Sequence, residues 1–97
     1  MSAFLVVHVN VKDPAKFQTY AQAAPGTIAE HGGKLLLRGQ AKKVLAGEHG
    51  HQSVAIFKFP DQDAITNWYK SPAYQALIPN RDEAADMIFI SYDEPPA

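Results

Sequence analysis

Four short apolar runs, Phe4 to Val11, Lys34 to Leu37, Val54 to Phe59 and Met87 to Tyr92, leave room for a helix between the first and second and between the third and fourth. Runs of this length, rich in Val, Ile, Leu and Phe, read as strands. The order is therefore β-α-β-β-α-β. With right-handed crossovers it folds as an α+β ferredoxin-like domain: a four-stranded antiparallel sheet with both helical segments on one face.

Local signals place the joints. Asp13-Pro14 opens the first helix as cap and first-turn proline. Phe17, Tyr20, Ala21, Ala24 and Ile28 form its apolar stripe, Pro25-Gly26 is expected to kink or divide it, and Gly32 suits a left-handed end. Gly39 is a candidate bulge or bend in the second strand, with Lys43 to Ala46 as a possible extension and Gly47 to Gln52 as a polar loop. Pro60 stops the third strand, Asp61 caps the next helix, and Ser71-Pro72 breaks and restarts it. Pro79 is expected to break it again, with Asn80 and Glu83 as a variant capping box. The chain is expected to form one domain over residues 1–97, with a frayed tail from Asp93 to Ala97.

The strands carry apolar residues on both faces. Phe4 and Val6 oppose Leu5 and Val7, Ile56 opposes Phe57, and Ile88 and Ile90 oppose Met87 and Phe89. An antiparallel sheet with one wet face alternates cleanly. Here the second face needs a cover, and a second copy of the chain in a two-fold homodimer is the simplest one.

Composition narrows the function. A net charge of −1 with interspersed signs lacks the basic footprint that nucleic acids and anionic membranes require. With no cysteine there is no disulfide, thiol nucleophile or thiolate metal site. No apolar run approaches the ~18 residues of a membrane span, and the start MSAFLVVHVN lacks signal-peptide features. A cytoplasmic protein is expected.

Several residues are candidates for a site. His8, on a partly polar strand face, is a candidate general base, against the plainer reading of a dimer contact. Arg38 would hold a carboxylate or phosphate if it shares the open sheet face with Lys34 and Leu36; otherwise it is a structural ion pair. Tyr69 and Tyr74 carry hydroxyls that need partners once buried, while Trp68 reads as core. Arg81, seven residues after Tyr74, is placed to clamp an anionic ligand or to pair with an acid such as Asp61. His49 and His51 have chelating spacing but no evident third ligand, so no metal and no cofactor is expected.

Several segments together resemble the DUF1330 family: V-x-D-P at Val11 to Pro14 with Tyr20, G-G-K-L-L-L-R-G at Gly32 to Gly39, F-P-D at Phe59 to Asp61, W-Y-x-S-P-x-Y at Trp68 to Tyr74, and Arg81. Gln40 departs from the family's usual glycine and His51-Gln52 from its frequent arginine. The resemblance implies a homodimeric α/β barrel of ferredoxin-like domains, within a superfamily that includes cofactor-free monooxygenases, haem-degrading enzymes and lyases. Two functions stay open. One is a cofactor-free monooxygenase, isomerase or lyase acting on a small organic metabolite, with His8 as base, Arg38 or Arg81 orienting an anion, and Tyr69 and Tyr74 donating hydrogen bonds. The other is a non-catalytic ligand-binding or dimeric interaction module.

Overall fold

A computed structural model describes residues 2–96. The strands are β1 (Ala3–Val11), β2 (Lys34–Gln40), β3 (Ser53–Phe59) and β4 (Ala85–Asp93); the helices are α1 (Pro14–Glu30), α2 (Gln62–Lys70), α3 (Pro72–Gln75) and α4 (Ile78–Ala84). All strand pairs are antiparallel, in the order β2-β3-β1-β4. This is the ferredoxin-like α+β sheet.

The period of two in β1 sets the two faces. Ala3, Leu5, Val7 and Val9 are buried, while Phe4, Val6, His8 and Asn10 between them are half-buried. Directly paired residues share a face. The inner face therefore continues through Phe59, Phe57 and Ala55 on β3 and Met87 and Phe89 on β4. Its core includes Trp68 and Tyr74 from the helices, both fully buried. The outer face carries Val6, Ile56 and Leu37, with Ile88, Ile90 and Tyr92 exposed.

The helix starts follow their caps. Asp13 accepts from the Lys16 amide at 3.2 Å, Asp61 from that of Ala64 at 2.8 Å, and Ser71 from that of Tyr74 at 3.2 Å. Gly32 has φ +80°, the left-handed end expected for α1.

Several expectations are corrected. Pro25 does not divide α1, which runs unbroken for 17 residues. The residue is exposed, so the Ala21 carbonyl that loses its helical donor is left open to water. Pro79 does mark the second break, since α3 ends at Gln75 and α4 starts at Ile78. It lies in the first turn of α4, where a missing N–H costs nothing. Leu77 is the cap residue, and Asn80 instead donates its side-chain amide to the Lys16 carbonyl at 3.0 Å. Residues 43–46 form no strand. The irregularity in β2 lies between Leu35 and Leu37, where Leu36 is the extra residue, and Gly39 pairs regularly with Val54.

The tail is held further than expected. Asp93 belongs to β4 and pairs with Ala3. The Glu94 amide donates to the Ser2 carbonyl at 2.9 Å, and the Glu94 carboxylate takes Lys58 at 3.1 Å and the Ser2 hydroxyl. Ala97 lies outside the described residues.

Candidate functional site

Small residues leave space between α1 and the sheet. Ala21 and Ala24 on α1 face Ala55 on β3, and a cavity of about 470 Å³ opens there. Leu5, Val7, Phe57, Ile28, Trp68 and Phe89 make its wall mostly apolar. Polar groups are few. Arg38 and Gln40 stand on the edge strand β2, Ser53 lies beside Gln40 on β3, and Tyr20 contributes from α1. Ala21 and Pro25 also line the cavity.

Arg38 reaches this cavity because of the bulge. In a regular ladder Leu36 would pair with Ile56, and Arg38 would fall on the outer face with Val54. The extra residue moves Leu37 opposite Ile56 and Arg38 opposite Ala55, on the helix side. The condition that Arg38 share the open face with Lys34 is thus not met: Lys34 pairs with Lys58 on the outer side, and Arg38 faces inward.

A second group of residues is built where α1 meets the helices packed on β4. Tyr20 and Tyr74 are both buried, with their hydroxyl oxygens 2.7 Å apart. The Arg81 guanidinium donates through Nη1 to Tyr69 Oη at 3.1 Å and to Tyr74 Oη at 3.2 Å. Its Nε and Nη2 reach Asp82 at 3.1 Å, and the guanidinium carbon lies 4.9 Å from the centre of the Phe89 ring. Burial pushes the Tyr20 hydroxyl far above the ordinary tyrosine range, and the neighbouring Tyr74 hydroxyl adds to it. Burial likewise raises Tyr74. For Arg81 burial opposes the charge, but the hydrogen bonds to Tyr69 and Tyr74 outweigh it and its pKa rises. The group is thus a cation feeding neutral phenols.

Three histidines meet on the other side of the sheet. The His8 ring centre lies 4.9 Å from that of His49 and 6.2 Å from that of His51, which are 5.7 Å apart. Asn10 pins the loop that carries them, donating to the Gly50 carbonyl at 2.6 Å and accepting from the Gln52 amide at 2.8 Å. Asp86 Oδ2 stands 3.7 Å from His51 Nε2. His8 Nδ1 and His51 Nε2 are buried without a hydrogen-bond partner. Burial, followed by the two neighbouring imidazoles, holds the His8 pKa below its ordinary value. Among the described residues no three His, Asp or Glu side chains are placed to hold a metal ion.

The five residues singled out in the sequence therefore fall in three places. Arg38 stands at the cavity edge. Tyr69, Tyr74 and Arg81 come together, with Asp82 rather than Asp61 as the acid on Arg81. His8 is apart from both, on the outer face. Sequence reasoning missed two partners. In the sequence Tyr20 belongs to the helical stripe and to the family motif, and neither points to Tyr74, although a buried phenol needs a hydrogen-bond partner. His8 was not joined to His49 and His51, because that meeting depends on how the loop folds back over β1.

No curated protein matches the sequence. Among solved structures, a protein of unknown function from Rhodopseudomonas palustris, RPA0582, superposes with a TM-score of 0.81 at 18% identity, covering 98% of this chain and 84% of its own. SnoaB, a cofactor-independent oxygenase from Streptomyces nogalater, gives 0.70 at 13% identity, covering 99% and 95%. A dimeric protein of unknown function with a ferredoxin-like fold from Bacteroides fragilis gives 0.59 at 11% identity, covering 96% of each chain. At these identities the likeness is one of fold. The sequence itself matches the family described as Domain of unknown function (DUF1330) over residues 2–93. The chain belongs to the DUF1330 family.

Proposed function

We propose that this chain is a cytoplasmic, homodimeric small-molecule-binding protein. Its ligand is a flat, mostly apolar organic acid held between α1 and the sheet. The cavity carries this reading: its volume of about 470 Å³ lies within the roughly 300–1,000 Å³ usual for ligand sites. An apolar wall with few polar groups is the usual make-up of such sites, and Arg38 at the edge supplies a fork-shaped donor suited to a carboxylate. His8 has no part in this cavity. The exposed outer face, with Leu37, Ile88, Ile90 and Tyr92, is the surface offered to the second copy. The dimeric Bacteroides fragilis protein of the same fold supports that assembly.

A second reading is a cofactor-free enzyme of the monooxygenase, isomerase or lyase type working in the same cavity. The likeness to a cofactor-independent oxygenase favours it, as does the mostly apolar wall. Consumption of dioxygen on adding an electron-rich aromatic acid separates an oxygenase from plain binding.

Calorimetric titration with 2-naphthoate and its uncharged isostere 2-naphthamide tests the binding reading. Wild type is expected to prefer the acid, and Arg38→Gln to lose that preference while still binding the amide. Absence of saturable binding of either compound would overturn it.

A further inference from the structure

One tyrosine that lines the cavity is part of a network that leaves a hydroxyl proton free. Arg81 has donors only. Its Nη1 donates to Tyr74 Oη, so that oxygen is already an acceptor. One proton lies in the 2.7 Å contact between Tyr74 and Tyr20. Two phenols bring two protons to this contact, and among the described residues no acceptor takes the second.

Two arrangements follow. If Tyr20 donates to Tyr74, the spare proton is on Tyr74, which has 0% exposure and is not in the cavity wall. A buried donor without a partner carries the full desolvation penalty of that group. If Tyr74 donates to Tyr20, the spare proton is on Tyr20, which does line the cavity. The second arrangement avoids the penalty as soon as the cavity holds a water or a ligand oxygen. It also aligns every bond in one direction, from Arg81 through Tyr74 to Tyr20, and each bond polarises the next.

The positions of the two ends set the shape of the ligand. Arg38 is on β2, at one edge of the sheet, and Phe89 under the Arg81 guanidinium is on β4, at the other edge. Three strand spacings separate those edges, about 14 Å. The arginine side chain spans part of that width, leaving room for a molecule of two fused rings.

We propose that Tyr20 selects the ligand by donating a hydrogen bond to an oxygen acceptor (a phenolate, enolate or carbonyl) at the end remote from the carboxylate, with Tyr74 and Arg81 as positioning residues. This rests on the cavity being the ligand site. The ligand class is accordingly a fused-ring or similarly long organic acid with an oxygen at its far end. High pKa values for Tyr20 and Tyr74 keep both phenols protonated, as donors must be.

The test compares 2-naphthoate with 6-hydroxy-2-naphthoate, whose phenol ionisation is read optically. Wild type is expected to bind the hydroxy acid about tenfold more tightly near the pH where its phenol ionises, and to lower that phenol's pKa by about one unit. Tyr20→Phe removes both effects, so that the two compounds bind with similar affinity. Tyr74→Phe keeps the Tyr20 hydroxyl but cuts it off from Arg81, so the optical pKa returns most of the way. If wild type binds 2-naphthoate yet leaves the phenol's pKa unaltered, or if Tyr20→Phe keeps the discrimination, the Tyr20 assignment falls and the cavity reading stands. If wild type binds neither compound, both fall.

Discussion

His8 and Arg38 stand on opposite faces of one sheet. His8 pairs with Val54 across β1 and β3, while Arg38 pairs with Ala55, the next residue along, across β2 and β3. The extra residue at Leu36 creates this separation, since a one-residue slip turns every later side chain to the other face. An acid bound in the cavity therefore meets Arg38 and not His8. Arg38→Gln is expected to weaken 2-naphthoate binding by about 10- to 100-fold, the usual worth of a charged hydrogen bond. His8→Ala is expected to change it by less than about twofold. Calorimetry on the two variants checks both, and a loss confined to His8→Ala would reverse the assignment.

The histidine group makes stability depend on pH. Burial, then His49 and His51, hold the His8 pKa below its ordinary value of 6.5. The unfolded chain then binds more protons than the folded one as pH falls through that region. Stability contributed by neutral His8 is present above about pH 6.5 and is lost as pH falls toward the folded value. His49 and His51 face His8 from the loop, Val54 and Ile88 flank it from β3 and β4, and Asp86 stands beside His51. Urea unfolding at pH 7.5 and 5.5 is expected to show lower stability at the acid end. His8→Gln should flatten that slope; an unchanged slope would show that other groups set it.

Gly33 is needed for close approach. It is buried, and a β-carbon there would lie 2.7 Å from Phe59 Cζ and press on the Ile28 side chain. Gly33→Ala is expected to cost about 1–3 kcal/mol in denaturant unfolding. Gly26→Ala, where a β-carbon meets nothing within 4 Å, has space to spare and removes backbone freedom from a helix interior. It is expected to be neutral or stabilising by up to about 1 kcal/mol.

Much of this was legible in the sequence, for local reasons. The caps at Asp13, Asp61 and Ser71, the left-handed Gly32 and the order of strands and helices along the chain follow from residue types and spacing. Apolar residues on both faces of β1 and β4 were visible as well. Pro25 misled because a helix tolerates a proline on an exposed flank, whereas Pro79 opens the first turn of the helix that follows the break. The bulge at Leu36 was not legible: three consecutive leucines give no signal of which one is extra, and Arg38's face depends on it. Tyr20 and Tyr74 lie 54 residues apart, so their contact comes from tertiary packing, as does the meeting of His8 with His49.

The exposed outer face leads to a prediction about assembly. Ile88 and Ile90 are 43% and 37% exposed on the flat side of the sheet. Ile88→Glu, which buries charge in any sheet-to-sheet contact, is expected to halve the mass measured by light scattering without unfolding the chain. A wild type that is already monomeric across a dilution series would remove the dimer from the proposal.

The most direct test of the ligand cavity is an amide NMR titration with 2-naphthoate. A ligand between α1 and the sheet is expected to shift the amides of Ala21 and Ala24 and of the strand ends around Arg38, Gln40 and Ala55. Those of Leu45 and His49, in the loop away from the cavity wall, should stay in place. Shifts confined to the outer face or to the loop around His49, or no saturable shift at all, would contradict it.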